Sequence, residues 1–406
     1  MPAILSMILI RRCVANGANM DNEKQLKFRT RAIHVGNEAD EQTGAVVRPL
    51  HVASTFVQKT PGEWGPYDYS RSGNPTRDST ETTVASLEQG SGALGFATGM
   101  AATHCVTMLL NAGDHVIAGT DIYGGTYRLL HKICNRAGIK VSLADSRTVT
   151  SVQDAIRPET KLIWIESPGN PLMSITDIKA CAQVAKEHGV LLGVDNTFAT
   201  PVLTQPLSLG ADIVMHSATK YLGGHSDANG GMLVVNDDDL YDKLYFIHNS
   251  VGNCMSAWDS YLITRGIKTL ELRVREQCRS AVQVSEYLQQ HPKVKRVLYP
   301  GLASHPGFEV AKQQMHGGFG SMLSVEIDGD FETTKNVVSS TQLFQLAVSL
   351  GAVESLISQP ASMSHASYDQ KDRIANGIHD ELIRLSVGLE HPDDLIADLD
   401  QALSRL

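Results

Sequence analysis

Short apolar runs alternate with helical patterns between about residue 80 and residue 235. The runs lie at 115–118, 162–165, 190–194 and 213–215, and amphipathic segments such as 178–188 lie between them. Continuous apolar strands are typical of a sheet buried on both faces, which is a parallel sheet covered by helices on either side. The alternation therefore predicts an α/β fold with a mostly parallel central sheet.

The rest of the chain follows other patterns. A long helical pattern over 269–290 precedes period-two runs such as 322–327, which predicts a smaller α+β domain. We predict an α/β domain over 69–265 and a C-terminal α+β domain over 266–406. Residues 21–68 lack periodicity, and we interpret them as an N-terminal arm that contacts a neighbouring subunit.

The first twenty residues are interpreted as a leader that is disordered or artefactual. Their apolar run at 3–10 is shorter than the ~20 residues that span a bilayer. The charges of Arg11 and Arg12 follow that run, whereas a secretory signal places charge before it. The alternatives are that these residues form a poor transit peptide or that the protein truly starts at Met20.

Composition excludes several classes of protein. A net charge of −9 over 406 residues is unlike the basic footprint of a nucleic-acid binder, and nothing indicates a membrane protein. The six cysteines are scattered without a Cys-x-x-Cys pair, which favours free thiols and a cytoplasmic location. The 15 histidines show no metal-ligand spacing, so we expect no metal.

Polar loops follow three of the apolar runs, where open parallel sheets bind ligands. The third loop places Ser217, Thr219 and Lys220 close together. Hydroxyls bind a phosphate, and an amine condenses with an aldehyde, so this loop predicts pyridoxal 5'-phosphate (PLP) as cofactor. Asp195 ends the preceding run, where its carboxylate can pair with the pyridinium nitrogen.

Three other segments add anion-binding groups. Gly99 and Met100 begin a helical pattern, whose free N–H groups suit a phosphate. Tyr69 and Arg71 offer a hydroxyl and a guanidinium from outside the sheet domain, most simply to a neighbouring subunit. Arg384 can bind the carboxylate of an amino-acid substrate, although its period-two run alone favours an exposed arginine on an edge strand.

Two motifs match sites of other enzyme classes but lack the context that those sites require. Gly-Ser-Gly-Ala-Leu-Gly at 90–95 matches a dinucleotide fingerprint, but a helix over 80–89, ended by Gly90, precedes it and a strand follows, the reverse of the required order. Ser217 and Lys220 match the Ser-x-x-Lys of serine β-lactamases, whose partner tripeptides are absent. We interpret His216 and His225, which flank the lysine loop, as structural.

Six motifs resemble those of one enzyme family, the Cys/Met-metabolism enzymes that use PLP, which include cystathionine γ-lyase and γ-synthase. They occur in family order over nearly everything after the leader. The motifs are Tyr-Ser-Arg-Ser-Gly-Asn-Pro-Thr-Arg (69–77), Tyr-Gly-Gly-Thr (123–126), Glu-Ser-Pro-Gly-Asn-Pro (166–171), Val-Asp-Asn-Thr-Phe (194–198), Ser-Ala-Thr-Lys-Tyr (217–221) and Arg-Leu-Ser-Val-Gly-Leu-Glu (384–390).

The resemblance implies the fold of type I PLP-dependent transferases, like aspartate aminotransferase, and a homotetramer of paired dimers. It implies that Lys220 holds the cofactor covalently, that Asp195 partners its ring nitrogen, and that Tyr123 stacks on the ring and assists proton transfer. The resemblance also implies two groups of binding residues. The phosphate is bound by Gly99, Met100, Ser217 and Thr219, together with Tyr69 and Arg71 of a neighbouring subunit. The substrate is bound by Arg128, Asn170, Ser349 and Arg384.

The activity implied by the resemblance is that of a cystathionine γ-lyase. Gly125 stands where methionine γ-lyases carry cysteine, and Arg128 adds a cation suited to a second carboxylate. Val348 stands where many cystathionine enzymes carry glutamate, which leaves the choice between β- and γ-elimination open. A γ-synthase, a methionine γ-lyase and a non-enzymatic PLP-binding regulator are the alternatives.

Overall fold

The computed structural model describes residues 25–366 and 369–405, so the predicted leader lies outside the described residues. A seven-stranded sheet has the order β1-β7-β6-β5-β4-β2-β3. Its strands are β1 Gly92–Phe96, β2 His115–Gly119, β3 Lys140–Ala144, β4 Thr160–Glu166, β5 Leu191–Asp195, β6 Ile213–Ser217 and β7 Gly231–Val235.

The middle of this sheet is parallel. The pairs β2–β3, β2–β4, β4–β5 and β5–β6 are parallel, whereas β7 runs antiparallel to both β6 and β1. Adjacent residues of one strand point into different apolar clusters, as Val116 and Ile117 of β2 do. Both faces of the sheet are therefore buried, which confirms the prediction of a mostly parallel sheet between layers of helices.

Helices surround this sheet. In chain order they are α1 Phe28–His34, α2 Pro75–Glu88, α3 Gly99–Thr107, α4 Gly124–Arg128, α5 Val149–Asp154, α6 Ile178–Glu187, α7 Thr200–Leu203, α8 Asp238–Val251 and α9 Ala257–Ile267. A π-helical turn, Leu129–Cys134, continues α4, and 3-10 turns lie at Asn135–Ala137 and Pro206–Leu209.

A second sheet of five strands has the order β10-β11-β12-β9-β8, and only its β10–β11 pair is parallel. Its strands are β8 Val294–Leu298, β9 Met322–Ile327, β10 Gln345–Leu346, β11 Leu356–Ser358 and β12 Leu382–Ser386. The helices of this part of the chain are α10 Leu270–Gln290, α11 Phe308–Gln314, α12 Phe331–Val338, α13 Gln370–Ala375 and α14 Pro392–Leu403. A smaller α+β unit thus follows the α/β part, although the predicted domain boundaries stay predictions.

Helix ends show which local signals were reliable. Asp177 caps α6 as predicted, because its side chain accepts a hydrogen bond of 2.9 Å from the Ala180 N–H. The helix predicted over 80–89 is α2, which is longer at its start. Gly90 does not end it, since Gln89 adopts the left-handed conformation (φ 60°) instead.

The segment predicted as an arm is mostly irregular, but it contains α1, which the sequence did not indicate. Apolar side chains of this segment face outward, and Val57 is 98% exposed. Exposed apolar side chains on an irregular segment suit a contact with another subunit. That contact stays a prediction.

Candidate active site

Three polar loops meet at the carboxyl edge of the seven-stranded sheet. Glu166 ends β4, Asp195 ends β5 beside it, and Ser217 ends β6. The Thr197 hydroxyl accepts a hydrogen bond of 2.9 Å from the Ser217 N–H, which ties the second loop to the third. The parallel strands thus bring these carboxyl and hydroxyl groups to one edge.

The predicted phosphate cradle depends on a close backbone approach. A Cβ atom at Gly99 would lie 2.8 Å from the Cβ of Ser217, so only glycine fits here at the start of α3. Thr98 caps that helix by accepting a hydrogen bond of 3.1 Å from the Ala101 N–H. The Thr219 hydroxyl, near Ser217 in the chain, donates to the Gly230 carbonyl at 3.3 Å.

Lys220 reaches the smaller α+β unit. Its Nζ donates a hydrogen bond of 2.7 Å to the Ser349 hydroxyl. Burial, with a contribution from the charge of Arg384, lowers the pKa of Lys220 to about 8. At pH 7 this lysine is therefore ~300-fold richer in the neutral, nucleophilic amine than a lysine in water.

Arg384 lies inside the second sheet rather than at its edge. β12 pairs with both β9 and β11, and Arg384 is 5% exposed, so the edge-strand interpretation is wrong. Its Nη1 donates to Oδ1 of Asn170 at 3.0 Å, and its Nη2 donates to the Ser349 carbonyl at 2.9 Å. Its Nε has no hydrogen-bond partner in the described chain, and burial lowers the pKa of Arg384 to about 10.

A buried guanidinium with an unsatisfied donor suits an anionic ligand, because an unpaired buried donor is costly. Ser349 contributes to the same arrangement through its backbone. It has a φ of 100°, a conformation that residues other than glycine rarely adopt. Strain of this kind persists where contacts hold it, and both Lys220 and Arg384 bond to Ser349.

Two buried carboxyl groups lie side by side on β4 and β5. Burial raises the pKa of Asp195, while hydrogen bonds from Thr197 and the charge of His216 act in the opposite direction. Burial, followed by the charge of Asp195, raises the pKa of Glu166 well above its usual range. Glu166 accepts a hydrogen bond of 2.8 Å from the Tyr123 N–H, a positioning role that we did not predict.

Tyr123 borders the same pocket, with its side chain 40% exposed. A Cβ atom at Gly125 would lie 2.4 Å from the Tyr123 ring and 2.9 Å from Sδ of Met100, so these two side chains flank Gly125. Arg128, the last residue of α4, is exposed. The structure therefore brings Tyr123 and Met100 together.

Tyr69 and Arg71 lie apart from these groups. In the described chain neither side chain hydrogen-bonds to a cradle residue, and the Arg71 guanidinium lies 5.5 Å from the centre of the Tyr69 ring. The buried Arg77 holds their loop by donating to the carbonyls of Ser70 at 2.7 Å and Arg71 at 3.2 Å. Their role at a neighbour's site stays a prediction.

Comparison with known proteins shows the family of this chain. The family of Cys/Met metabolism PLP-dependent enzymes matches residues 29–404. The chain belongs to this family.

Members of this family are similar to the chain over nearly its whole length. A cystathionine β-lyase of Coxiella burnetii (strain RSA 493 / Nine Mile phase I) is 49% identical over 94% of the chain and 99% of that protein. A cystathionine γ-lyase of Bacillus subtilis (strain 168) is 49% identical over 94% of the chain and 100% of that protein. The crystal structure of cystathionine γ-lyase from Lactobacillus plantarum complexed with L-serine covers 93% of the chain and 99% of its own, at 46% identity and a TM-score of 0.91.

The chain is therefore a PLP-dependent carbon–sulfur lyase of the trans-sulfuration family with the type I fold. Its site fits the cofactor, because the amine of Lys220 has a lowered pKa and the close approach of Gly99 brings the start of α3 against Ser217. Within residues 25–366 and 369–405, no cluster of three metal-ligating side chains occurs. Over the same residues, no helix is long and apolar enough to cross a membrane.

Proposed function

We propose that this enzyme is a cystathionine γ-lyase, which cleaves L-cystathionine to cysteine, 2-oxobutyrate and ammonia. The observation that carries the proposal is the convergence of Lys220 and Arg384 on Ser349. A reactive amine and a carboxylate-binding guanidinium on either side of one residue suit an α-amino acid. Asn170 also orients the guanidinium, because its Oδ1 accepts a hydrogen bond from Nη1 of Arg384.

Each predicted cofactor residue has a role in this proposal. Lys220 would hold the cofactor, Asp195 would pair with its ring nitrogen, and Tyr123 would stack on its ring. Gly99, Met100, Ser217 and Thr219 would hold its phosphate. When bound, PLP supplies an electron sink for the negative charge that develops at the substrate α-carbon.

The protein's own residues move protons and hold the substrate. Arg384 binds the α-carboxylate, which fixes the α-hydrogen relative to Lys220. Nζ of Lys220 takes the α-proton, a role for which a pKa of about 8 suits it near neutral pH. Nζ of Lys220, once it is neutral again, takes a β-proton, and the Tyr123 hydroxyl donates its proton to the sulfur as the bond between that sulfur and the γ-carbon breaks.

The choice of γ-cleavage depends on residues at the rim of the pocket. Gly125 and the cation of Arg128 favour cystathionine, with its second carboxylate, over methionine. The second candidate reaction is β-cleavage. Val348 favours it, because this side chain supplies no carboxylate beside Ser349 and is 63% exposed there. A β-lyase and a γ-lyase relative are each 49% identical, so overall identity does not discriminate between the two.

Product identification after incubation of the PLP-loaded enzyme with L-cystathionine tests the proposal. Cysteine with 2-oxobutyrate is the expected result. Homocysteine with pyruvate would show that the enzyme catalyses β-cleavage rather than γ-cleavage. No product would contradict both, and turnover of an O-acylhomoserine with cysteine would then identify a γ-synthase, or turnover of methionine a methionine γ-lyase.

The substitution Val348→Glu tests the residue that separates the two candidates. We expect a higher ratio of 2-oxobutyrate to pyruvate, since the new carboxylate restricts how the distal part of cystathionine binds. Val348→Gln is the matched control, because it adds the same length without charge. An unchanged ratio in the Glu variant would remove this position from the specificity argument.

We also propose a cytoplasmic homotetramer in which Tyr69 and Arg71 complete the site of a neighbouring subunit. The support is the exposed apolar arm and the separation of these side chains from the cradle. Mixing subunits of Arg71→Ala with subunits of Lys220→Ala tests the sharing, because a hybrid then contains one intact site. Activity that stays absent in verified hybrids would contradict it.

A further inference from the structure

One loop of the α/β part of the chain makes hydrogen bonds to both sheet-containing parts. Residues 167–174, which we call the Asn170 loop, follow β4 and lead toward α6. Asn170 is 2% exposed, and its Oδ1 accepts a hydrogen bond of 3.0 Å from Nη1 of Arg384 in the second sheet. The orientation of the Arg384 guanidinium therefore depends on where this loop holds Asn170.

A buried carboxyl group binds the loop from the α/β part. Asp121 lies between β2 and α4 and is 8% exposed. Its Oδ1 accepts a hydrogen bond of 3.3 Å from the Leu172 N–H. Its Oδ2 accepts one of 3.2 Å from the Ser174 N–H and one of 2.6 Å from the Ser174 hydroxyl. Both carboxyl oxygens of Asp121 thus bind the Asn170 loop.

The contact between Asp121 and the loop is tight. A Cβ atom at Gly169 would lie 2.6 Å from the Ser174 hydroxyl and closer still to Oδ2 of Asp121, so only glycine fits there. The loop also closes on itself, because the Gly169 N–H donates to the Ser174 carbonyl at 2.8 Å. Asn170 follows Gly169 directly, so a displacement at the carboxyl group reaches Asn170 through a short, closed segment.

A hydroxyl of the second sheet binds the same loop. Ser324 on β9 is 0% exposed and donates a hydrogen bond of 2.7 Å to the Pro171 carbonyl. In the register of the sheet, Ser324 pairs directly with Arg384 on β12. Two paired residues of the second sheet thus bind two consecutive residues of the loop, Asn170 and Pro171.

We infer that Asp121 and Ser324 are positioning residues for substrate binding: they hold the Asn170 loop from the two parts of the chain, and Asn170 in turn keeps the Arg384 guanidinium oriented toward the substrate α-carboxylate. This inference rests on the proposed role of Arg384. Neither Asp121 nor Ser324 touches the substrate. A buried polar group left unpaired is costly, so loss of either contact favours a different placement of the loop.

The test measures how strongly the enzyme recognises an α-carboxylate. L-norleucine has this group and no sulfur to eliminate, and L-norleucinamide carries a neutral amide in its place. Their dissociation constants are measured from the change in cofactor absorbance of the PLP-loaded enzyme. The ratio of the two constants, amide over acid, should be well above 1 in the wild type. A general disturbance of the pocket would weaken both ligands equally and leave this ratio unchanged.

Asp121→Asn should lower the ratio ~2- to 10-fold, the factor that one lost hydrogen bond is worth, because an amide nitrogen then faces an N–H or O–H donor of the loop. Ser324→Ala should lower it in the same direction, since the bond from the second sheet is lost. Ser174→Ala removes one of the three hydrogen bonds of Asp121, and it carries the test if Asp121→Asn fails to fold. Ser285→Ala is the matched control, because this serine is equally buried and its hydroxyl bonds within α10. It should leave the ratio unchanged.

A double-mutant cycle shows whether Asp121 acts through Arg384. The ratio should fall close to 1 in Arg384→Gln, and adding Asp121→Asn should then change it no further. If Asp121→Asn lowers the ratio by the same factor in both backgrounds, the inference is wrong. It is also wrong if Arg384→Gln lowers the ratio but neither Asp121→Asn nor Ser324→Ala does. If Arg384→Gln itself leaves the ratio unchanged, the proposed role of Arg384 is wrong.

Discussion

The lowered pKa of Lys220 predicts how fast cofactor-free protein captures PLP as the pH changes. Only the neutral amine attacks the aldehyde. With a pKa of about 8, its neutral fraction is ~1% at pH 6 and ~50% at pH 8, so capture should accelerate about 50-fold over that interval and level off above pH 9. A lysine with the usual value of 10.5 would accelerate about tenfold per pH unit up to pH 10.

Stopped-flow absorbance of the lysine-bound cofactor measures this rate. The same reaction with a free lysine derivative corrects for the ionisation of PLP itself. Arg384→Gln should move the plateau to higher pH, because the charge of Arg384 contributes to the lowered pKa of Lys220. A rate that rises tenfold per unit to pH 10 after correction would refute the reasoning.

Three further predictions concern single side chains. Arg384→Lys should raise KM for cystathionine ~10- to 150-fold, since losing one charge-assisted hydrogen bond costs ~1.5–3 kcal/mol. Tyr123→Phe should lower kcat ~100-fold or more while PLP still binds, because only proton transfer loses its hydroxyl. Cofactor-free Lys220→Met should be more stable to urea than wild type below pH 8, by up to ~3 kcal/mol. The lysine pKa is about 8 folded and 10.5 unfolded, so the unfolded wild type binds more protons between these values and the difference shrinks across that window.

Each of these has its own control. PLP affinity should stay near wild type in Arg384→Lys, and a large loss there would assign the arginine to the cofactor instead. For Tyr123→Phe, an unchanged kcat would exclude the hydroxyl from proton transfer. A stability difference between Lys220→Met and wild type that does not vary with pH would indicate a packing effect rather than the buried amine.

Local sequence signals predicted those parts of the fold that local chemistry decides. Asp177 before an amphipathic segment predicted the start of α6, and alternation predicted β9 over 322–327. Gln89 shows where such signals fail. The left-handed conformation is cheapest for glycine, but the chain adopts it one residue earlier.

Long-range packing decided what the sequence could not indicate. The run around Arg384 is equally compatible with an edge strand, and only its pairing with β9 and β11 buries the guanidinium. Asp121 and Ser174 are 53 residues apart in the chain, and neither belongs to a motif with known spacing, so nothing local indicated their contact. The family motifs include Asp195 and Ser217, which the structure places at the ends of the neighbouring strands β5 and β6. The roles that the motifs imply for these residues and for Lys220 stay predictions.

The most direct test of the account is the attachment site of the cofactor. The holoenzyme is reduced with borohydride, digested, and its peptides are sequenced by mass spectrometry. The account predicts the added pyridoxyl mass on Lys220, and no label when Lys220→Ala is treated in the same way. A label on a different lysine, or undiminished labelling and turnover in Lys220→Ala, would contradict it.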